Sequence, residues 1–291
     1  MAEKRADGDR KRGILYIVGT PIGNLEDMTF RGVRILREVE AIAAEDTRHT
    51  GKLLQHFEIT TPQISYHEHN RKQRMPELVD RLQGGSAIAL VTDAGMPGIS
   101  DPGFELIQAC GEGGISVVPI PGPTACITAL VGAGLPGERF VFEGFLPVKG
   151  KARQQRLEAL QGETRTMILY EAPHRVRKTL TELGEALGGD RAIVLGRELT
   201  KLHEEFWRGS IAEAIAHYGG NCQPKGEFTL VITGRETAAP AIGEQTLKAE
   251  LQNLINRGMS RSQATKHLAQ HTALPRRQIY QLALTIGEES E

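Results

Sequence analysis

An α/β protein, with two α/β domains and a small helical C-terminal domain, is the fold class that this sequence predicts. Three observations lead there. Short apolar runs alternate with stretches of helical periodicity, the pattern of a largely parallel sheet covered by helices. Three of those runs pass directly into loops rich in glycine and proline. After residue 246 no strand-like run remains. At roughly 100–200 residues per domain, 291 residues accommodate two domains and a small third. The expected bounds are 13–122 and 123–238 for the α/β domains and 246–291 for the helical one.

In chain order, Ile14-Leu15-Tyr16-Ile17-Val18 reads as a buried strand, after which Phe30, Val33, Leu36 and Val39 recur at helical spacing. Ala41-Ile42-Ala43-Ala44 reads as the next strand. Met75, Leu78, Val79 and Leu82 mark an amphipathic helix that Gly84-Gly85 stops. A strand over 86–91, a loop over 92–103, a helix from about 104 and a strand over 115–118 complete the first block. The polar, basic stretch 144–156 reads as a linker or mobile loop. The second block begins with a strand over 166–170. Pro173 then stands where a first helical residue would, and Val176, Leu180, Leu183 and Leu187 form the stripe that follows. Further strands are expected at 192–195 and 228–232, and a second linker at 237–245. In the tail, Ser260 and Gln263 have capping-box spacing, with Ala264, His267 and Leu268 on the same helix. Pro275 opens another helix through Ile279, Leu282 and Ala283, so the tail resembles a helix-turn-helix unit.

Composition excludes several classes. A 40% hydrophobic and 24% charged chain suits an ordinary globular core rather than disorder. The net charge of −1 means that any affinity for nucleic acid rests on local charge. Cys110, Cys126 and Cys222 are far apart and in no metal-ligand spacing, which fits a reducing compartment. Residues 1–12 show charges without a following apolar segment and read as a disordered lead rather than a secretory signal. No stretch approaches the ~18 apolar residues of a membrane span, and the expected location is the cytoplasm.

Motifs narrow the chemistry. There is no G-x-x-x-x-G-K-[ST] and no G-x-G-x-x-G after a strand, so the P-loop and the dinucleotide fingerprint are both missing. Ligands of parallel α/β sheets bind at loops beyond the strand ends. Three such loops, 19–24, 92–103 and 121–124, are expected along one sheet edge. Their glycines allow close backbone approach and their prolines stiffen the loop. None supplies the lysine or arginine that a triphosphate requires. A nucleoside with a small polar tail fits better.

The stretches "VGTPIGN", "AAEDTRHT", "TDAGMPGISDPG", "PGPTACITAL", "YEAPHRV" and "KGEFTLVITG" occur in this order. Together they resemble the ribosomal RNA small-subunit methyltransferase I family, of the tetrapyrrole-methylase-like class of S-adenosylmethionine enzymes. The likeness spans about residues 13–286. It implies S-adenosylmethionine held between two α/β domains of the tetrapyrrole methylase type, a homodimer, and methylation of the ribose 2′-hydroxyl of a cytidine in the decoding region of 16S rRNA. By that resemblance the cofactor contacts are Pro21, Asp93, Ala94, Gly95, Met96, Gly98, Thr124, Ala125, Tyr170, Glu171 and Thr229.

A ribose hydroxyl is a poor acid, so a positioned base is expected. One candidate cluster is Glu45, Asp46, Arg48 and His49, with Asp46 beside Arg48 preferred. The other is Glu171, His174 and Arg175, at a strand end leading into a helix. A water or a substrate phosphate would also serve. His67-Glu68-His69-Asn70, taken as strand, puts two imidazoles on one face, yet no third ligand stands at a recognisable spacing, so no metal is expected. Lys149, Lys151, Arg153, Arg156 and Arg175, with Arg276 and Arg277 in the tail, are the expected RNA phosphate contacts. Two other readings stand beside this one. A tetrapyrrole methyltransferase of the same fold would need neither the basic stretch nor the tail. A nucleotide-responsive DNA-binding regulator would rest on the tail alone.

Overall fold

The computed structural model describes residues 13–220, 224–236, 244–272, 274 and 276–285. The expected lead at 1–12, most of the second linker, Cys222 and Pro275 lie outside the described residues. The chain divides into two compact units, Met1–Arg235 and Glu236–Glu291.

The first unit contains two five-stranded sheets. The first comprises β1 (Ile14–Val18), β2 (Ala41–Ala44), β3 (Gln63–Ser65), β4 (Ala87–Val91) and β5 (Ser116–Ile120), in the order β3-β2-β4-β1-β5 and wholly parallel. Helices α1 (Phe30–Glu38), α2 (Thr47–His56), α3 (Arg71–Gln83) and α4 (Phe104–Glu112) make the crossovers. Side-chain alternation explains why these strands are apolar throughout. Val18, Ile42, Ala44, Ala89 and Val91 pack with Ile35, Leu36 and Leu54 on one face. Leu15, Ile17, Ala43, Ile88 and Leu90 pack with Leu78, Leu82 and Leu106 on the other. A sheet buried on both faces has no polar positions to alternate.

The second sheet comprises β6 (Phe140–Phe145), β7 (Thr166–Glu171), β8 (Ala192–Arg197), β9 (Glu205–Ser210) and β10 (Phe228–Ile232), in the order β6-β7-β10-β8-β9. Only β6 and β7 run parallel; the other three pairings are antiparallel. The largely parallel pattern expected from the sequence holds for the first sheet and not for the second, because an apolar run reports burial and not pairing direction. Helix α5 (Ala125–Ala133) covers one face through Cys126, Ala129 and Leu130. Helices α6 (Lys151–Leu160), α7 (Val176–Leu187) and α8 (Ile211–Tyr218) cover the other.

Local departures from the sequence reading have physical causes. The stretch 144–156 is no linker: it contains the end of β6 and the first half of α6, whose apolar positions are too few to show a stripe. Helix α7 starts at Val176, preceded by a turn that holds Pro173. His67 and His69 lie beyond β3 in a turn, not on a strand, where Asn70 fastens the chain by accepting from the His67 amide. Phe30 shares the spacing of the apolar stripe, yet it is fully exposed at the first position of α1.

The second unit consists of α9 (Glu244–Asn256), α10 (Arg261–His271) and α11 (Arg276–Thr285). Leu247, Leu251, Ala264, Leu268, Ile279 and Ala283 form its own core. Ser260 caps α10 with the reciprocal Gln263 bond that its spacing predicts. Among the described residues no helix is long and apolar enough to cross a membrane.

Candidate active site

β4, β1 and β5 are adjacent and parallel, so the loops that leave them share one edge of the first sheet. Their backbones are joined. The Thr20 N–H donates to the Gly95 carbonyl at 2.9 Å, and the Gly95 N–H returns a bond to Thr20 at 3.0 Å. The Thr20 hydroxyl donates to the Thr92 carbonyl at 2.9 Å. Gly19 and Gly122 meet so closely that a Cβ on Gly19 would come within 2.9 Å of the Gly122 Cα. Gly95 has φ +80°, a conformation that a side chain strains.

A cavity of about 450 Å³ opens beside these loops, within the roughly 300–1,000 Å³ of small-molecule sites. Ala94, Gly95, Met96, Thr124, Ala125, Tyr170, Glu171 and Thr229 all line it, as does His174. Pro21, Asp93 and Gly98 sit in the same loops but not in the wall. Thr229 lies within β10 and is buried, rather than in a loop. Both sheets contribute, and Ile22 from the first loop packs into the core of the second sheet beside Leu199. The Tyr170 hydroxyl accepts from the Cys126 N–H at 3.0 Å, which ties β7 to the start of α5. Burial raises the Tyr170 pKa and keeps the phenol neutral. Sequence reasoning missed Ile22, Ile99, Ser100, Asp101, Phe145, Leu199, Glu227 and Phe228 in the wall. Asp101 is visible in the sequence as part of the 92–103 loop, but its place in the wall is not.

The acidic loops differ sharply in character. Asp46 caps α2 by accepting from the Arg48 N–H at 2.8 Å. The Arg48 guanidinium grips the same carboxylate at 3.1 and 2.7 Å. These bonds hold the Asp46 carboxyl well below the usual carboxylate range. Asp46 also lies outside the cavity wall. A carboxylate so stabilised is a weak base, which argues against the role that its place beside Arg48 suggested. His49 is exposed on α2, away from the wall. Glu45 and Asp93 lace the ends of β2 and β4. The Asp93 N–H donates to Glu45 at 3.3 Å, and the Asp46 N–H donates to Asp93 at 3.2 Å. Burial raises the Glu45 pKa, and the hydrogen bond from the Asp93 N–H works against that rise. Asp101 stands in the wall itself. Burial first, then the negative Glu45, Asp93 and Glu227, push its pKa up to about 7.

Glu171 is buried and fully engaged. It accepts from the Thr179 hydroxyl at 2.5 Å and the Ala172 N–H at 2.9 Å, and pairs with the Arg175 Nε at 3.1 Å. Arg175 also donates to the Leu146 carbonyl at 2.6 Å. Arg153 is only 3% exposed. It donates to Thr179, Glu182 and the Pro147 carbonyl at 2.7, 2.7 and 3.0 Å. Both arginines therefore brace the cavity wall from behind instead of facing RNA, which corrects their sequence assignment. The helical repeat turns position 153 inward with Leu157 and Leu160, and the sequence does not reveal its partner Glu182. Lys149, Lys151 and Arg156 are exposed, Arg156 pairing with Glu143 at 3.1 Å. Arg276 and Arg277 are exposed on α11, and Arg276 donates to Ser262. Among the described residues no group of three or more His, Cys, Asp or Glu could hold a metal ion.

The chain resembles known proteins in sequence and in fold. The family model described as Tetrapyrrole (Corrin/Porphyrin) Methylases matches residues 14–215. A protein of Synechocystis sp. named Ribosomal RNA small subunit methyltransferase I is 60% identical, covering 94% of this chain and 98% of its own. Its namesake in Bacillus subtilis is 45% identical, covering 94% and 95%. Among solved structures, uroporphyrin-III-C-methyltransferase from Thermus thermophilus has a TM-score of 0.55 at 20% identity, over 76% of this chain and 94% of that one. Diphthine synthase has a TM-score of 0.59 at 14% identity, over 76% and 90%. At such identities those structures share the fold alone. With most of its length matched at up to 60% identity, the chain belongs to the ribosomal RNA small subunit methyltransferase I family, within the tetrapyrrole methylases.

Proposed function

We propose that this protein transfers a methyl group from S-adenosylmethionine to the ribose 2′-hydroxyl of a cytidine in the decoding region of 16S rRNA. The observation that carries the reading is the two-sheet cavity, in a chain 60% identical over 94% of its length to a ribosomal RNA small subunit methyltransferase I. The lining suits the cofactor. Ile22, Leu199 and Phe228 offer an apolar wall for a purine, and the Gly95 backbone permits close approach. Asp101 and Glu227 offer negative charge to an amino group and a sulfonium, with no lysine or arginine in the wall. S-adenosylmethionine supplies, when bound, a methyl group on a positively charged sulfur.

The chain supplies alignment, a dry wall and a base. Reacting atoms must be held within about 3–3.5 Å and in line. Asp101 replaces Asp46 as proton acceptor in this reading, because it lines the cavity and its affinity for a proton suits neutral pH. Lys149 and Lys151, exposed shortly after cavity-lining Phe145 in the chain, suit RNA phosphates. A homodimer and a cytoplasmic location complete the proposal, the dimer supported by the exposed apolar pair Ile127 and Val131 on α5.

The test uses labelled S-adenosylmethionine with small ribosomal subunits lacking the modification, naked 16S rRNA or a tetrapyrrole precursor. Label at a cytidine ribose in subunits or RNA is expected. Label in the tetrapyrrole alone would overturn the reading.

A further inference from the structure

Phe145 stands on the solvent-open rim of the cavity, with Ile99, His174 and Glu227. It ends β6, lines the cavity and is 50% exposed. Of the lining aromatics, Phe228 is buried and Tyr170 is half-buried with its hydroxyl bonded to α5. Phe145 keeps half of its surface open, and the other exposed ring in the lining is the imidazole of His174.

A break in strand register aims it there. Phe142 pairs with Ile168 of β7, but Gly144 pairs with Leu169 and Phe145 with Tyr170, leaving Glu143 as an extra residue. Three positions along a regular strand reverse the face, so Phe142 and Phe145 would point oppositely. The bulge restores Phe145 to the face of Phe142 and Tyr170. Both rings pack edge-on against Tyr170, at 4.9 and 5.6 Å between centroids. Gly144 accommodates the bulge with φ +60°. Glu143 is held by Arg156 of α6, which fixes the bulge from behind. The chain then runs directly into exposed Lys149 and Lys151.

An open aromatic face, braced at its edge and followed by two exposed cations, is the surface that one unstacked nucleotide fits: base on ring, phosphate on lysine. We propose that Phe145 is the stacking platform for a base of the RNA substrate, extruded at the cavity mouth so that its ribose enters. This rests on the methyltransferase reading above and names the contact that recognises the substrate. The competing occupant is the purine of the cofactor, which Ile22, Leu199 and Phe228 already suit.

Steady-state methylation of small ribosomal subunits and calorimetric titration with S-adenosylhomocysteine separate the two in the full-length protein. Phe145→Ala is expected to raise KM for subunits by about tenfold, with S-adenosylhomocysteine affinity unchanged within about twofold. Phe145→Trp keeps a flat ring and is expected to restore most of the loss; Phe145→Leu keeps the apolar surface and is not. The Trp and Leu pair decides the matter if the Ala variant is poorly folded. Weaker S-adenosylhomocysteine binding at unchanged KM would assign the ring to the cofactor and overturn the proposal. So would equal activity of Leu and Trp variants. Absence of methylation by the unaltered protein would overturn the functional reading, and the platform with it.

Discussion

Asp101 and Asp46 show how two aspartates of one site diverge through their surroundings. Asp46 sits at a helix start under an arginine, and its proton is lost at low pH. Asp101 faces Glu45, Asp93 and Glu227 in a buried wall and binds its proton up to about pH 7. Activity should therefore rise with pH through neutrality as Asp101 ionises. The apparent pKa in kcat should lie below that in kcat/KM, because a bound sulfonium favours the carboxylate. Asp101→Asn should cut kcat by about 10²–10⁴-fold and flatten this profile while S-adenosylhomocysteine still binds. Asp101 also affects stability. Its folded pKa exceeds the ordinary 3.8, so from about pH 4 to 7 the native state holds a proton that the unfolded chain has lost. Stability therefore falls as pH rises across that window, and Asp101→Asn should raise the melting temperature at pH 8. Thermal denaturation of both proteins at pH 4 and pH 8 checks this. The sequence displayed both aspartates, and it displayed Arg48 beside Asp46, but the carboxylates that act on Asp101 are not its neighbours in the chain. It did not display the burial of Asp101, which is the largest cause of its raised pKa.

Helix α6 joins two functions on opposite faces. Arg153 points inward to Thr179 and Glu182, and Thr179 in turn bonds Glu171 in the cavity wall. Lys149 and Lys151, just before and at its start, point outward. Removing a buried ion-pair partner costs about 3–5 kcal/mol, so Arg153→Ala should lower the urea midpoint markedly. Lys149→Ala should leave the midpoint within about 0.5 kcal/mol of the original. It should instead weaken subunit binding and reduce the slope of log affinity against log salt by about 1. Identical behaviour of the two variants in both assays would contradict this division. Elements with long apolar runs, such as β1, β4, β7 and β10, were legible in the sequence because burial on both faces leaves no polar interruption. β6 was not, since Glu143 and Gly144 interrupt it at the bulge, and β9 was not, since FWRGS alternates only weakly.

At the scale of the whole molecule, the second unit has its own core, separate from those of the two sheets. Deleting 236–291 should leave S-adenosylhomocysteine affinity unchanged within about twofold, while methylation of subunits falls and loses part of its salt dependence. Calorimetry and subunit methylation at two salt concentrations provide the comparison; unchanged subunit activity would remove the tail from RNA binding. The order of the strands in the first sheet also shapes how the protein is made. β1 is the earliest strand of the fold to be synthesised, yet its neighbours are β4 and β5, the last two of its sheet. Until Ala87–Val91 leaves the ribosome, the apolar segment ILYIV has no native strand to pair with on either side. At about 5–20 residues per second that interval lasts several seconds. During it the nascent chain presents a sticky edge that invites chaperones or mispairing.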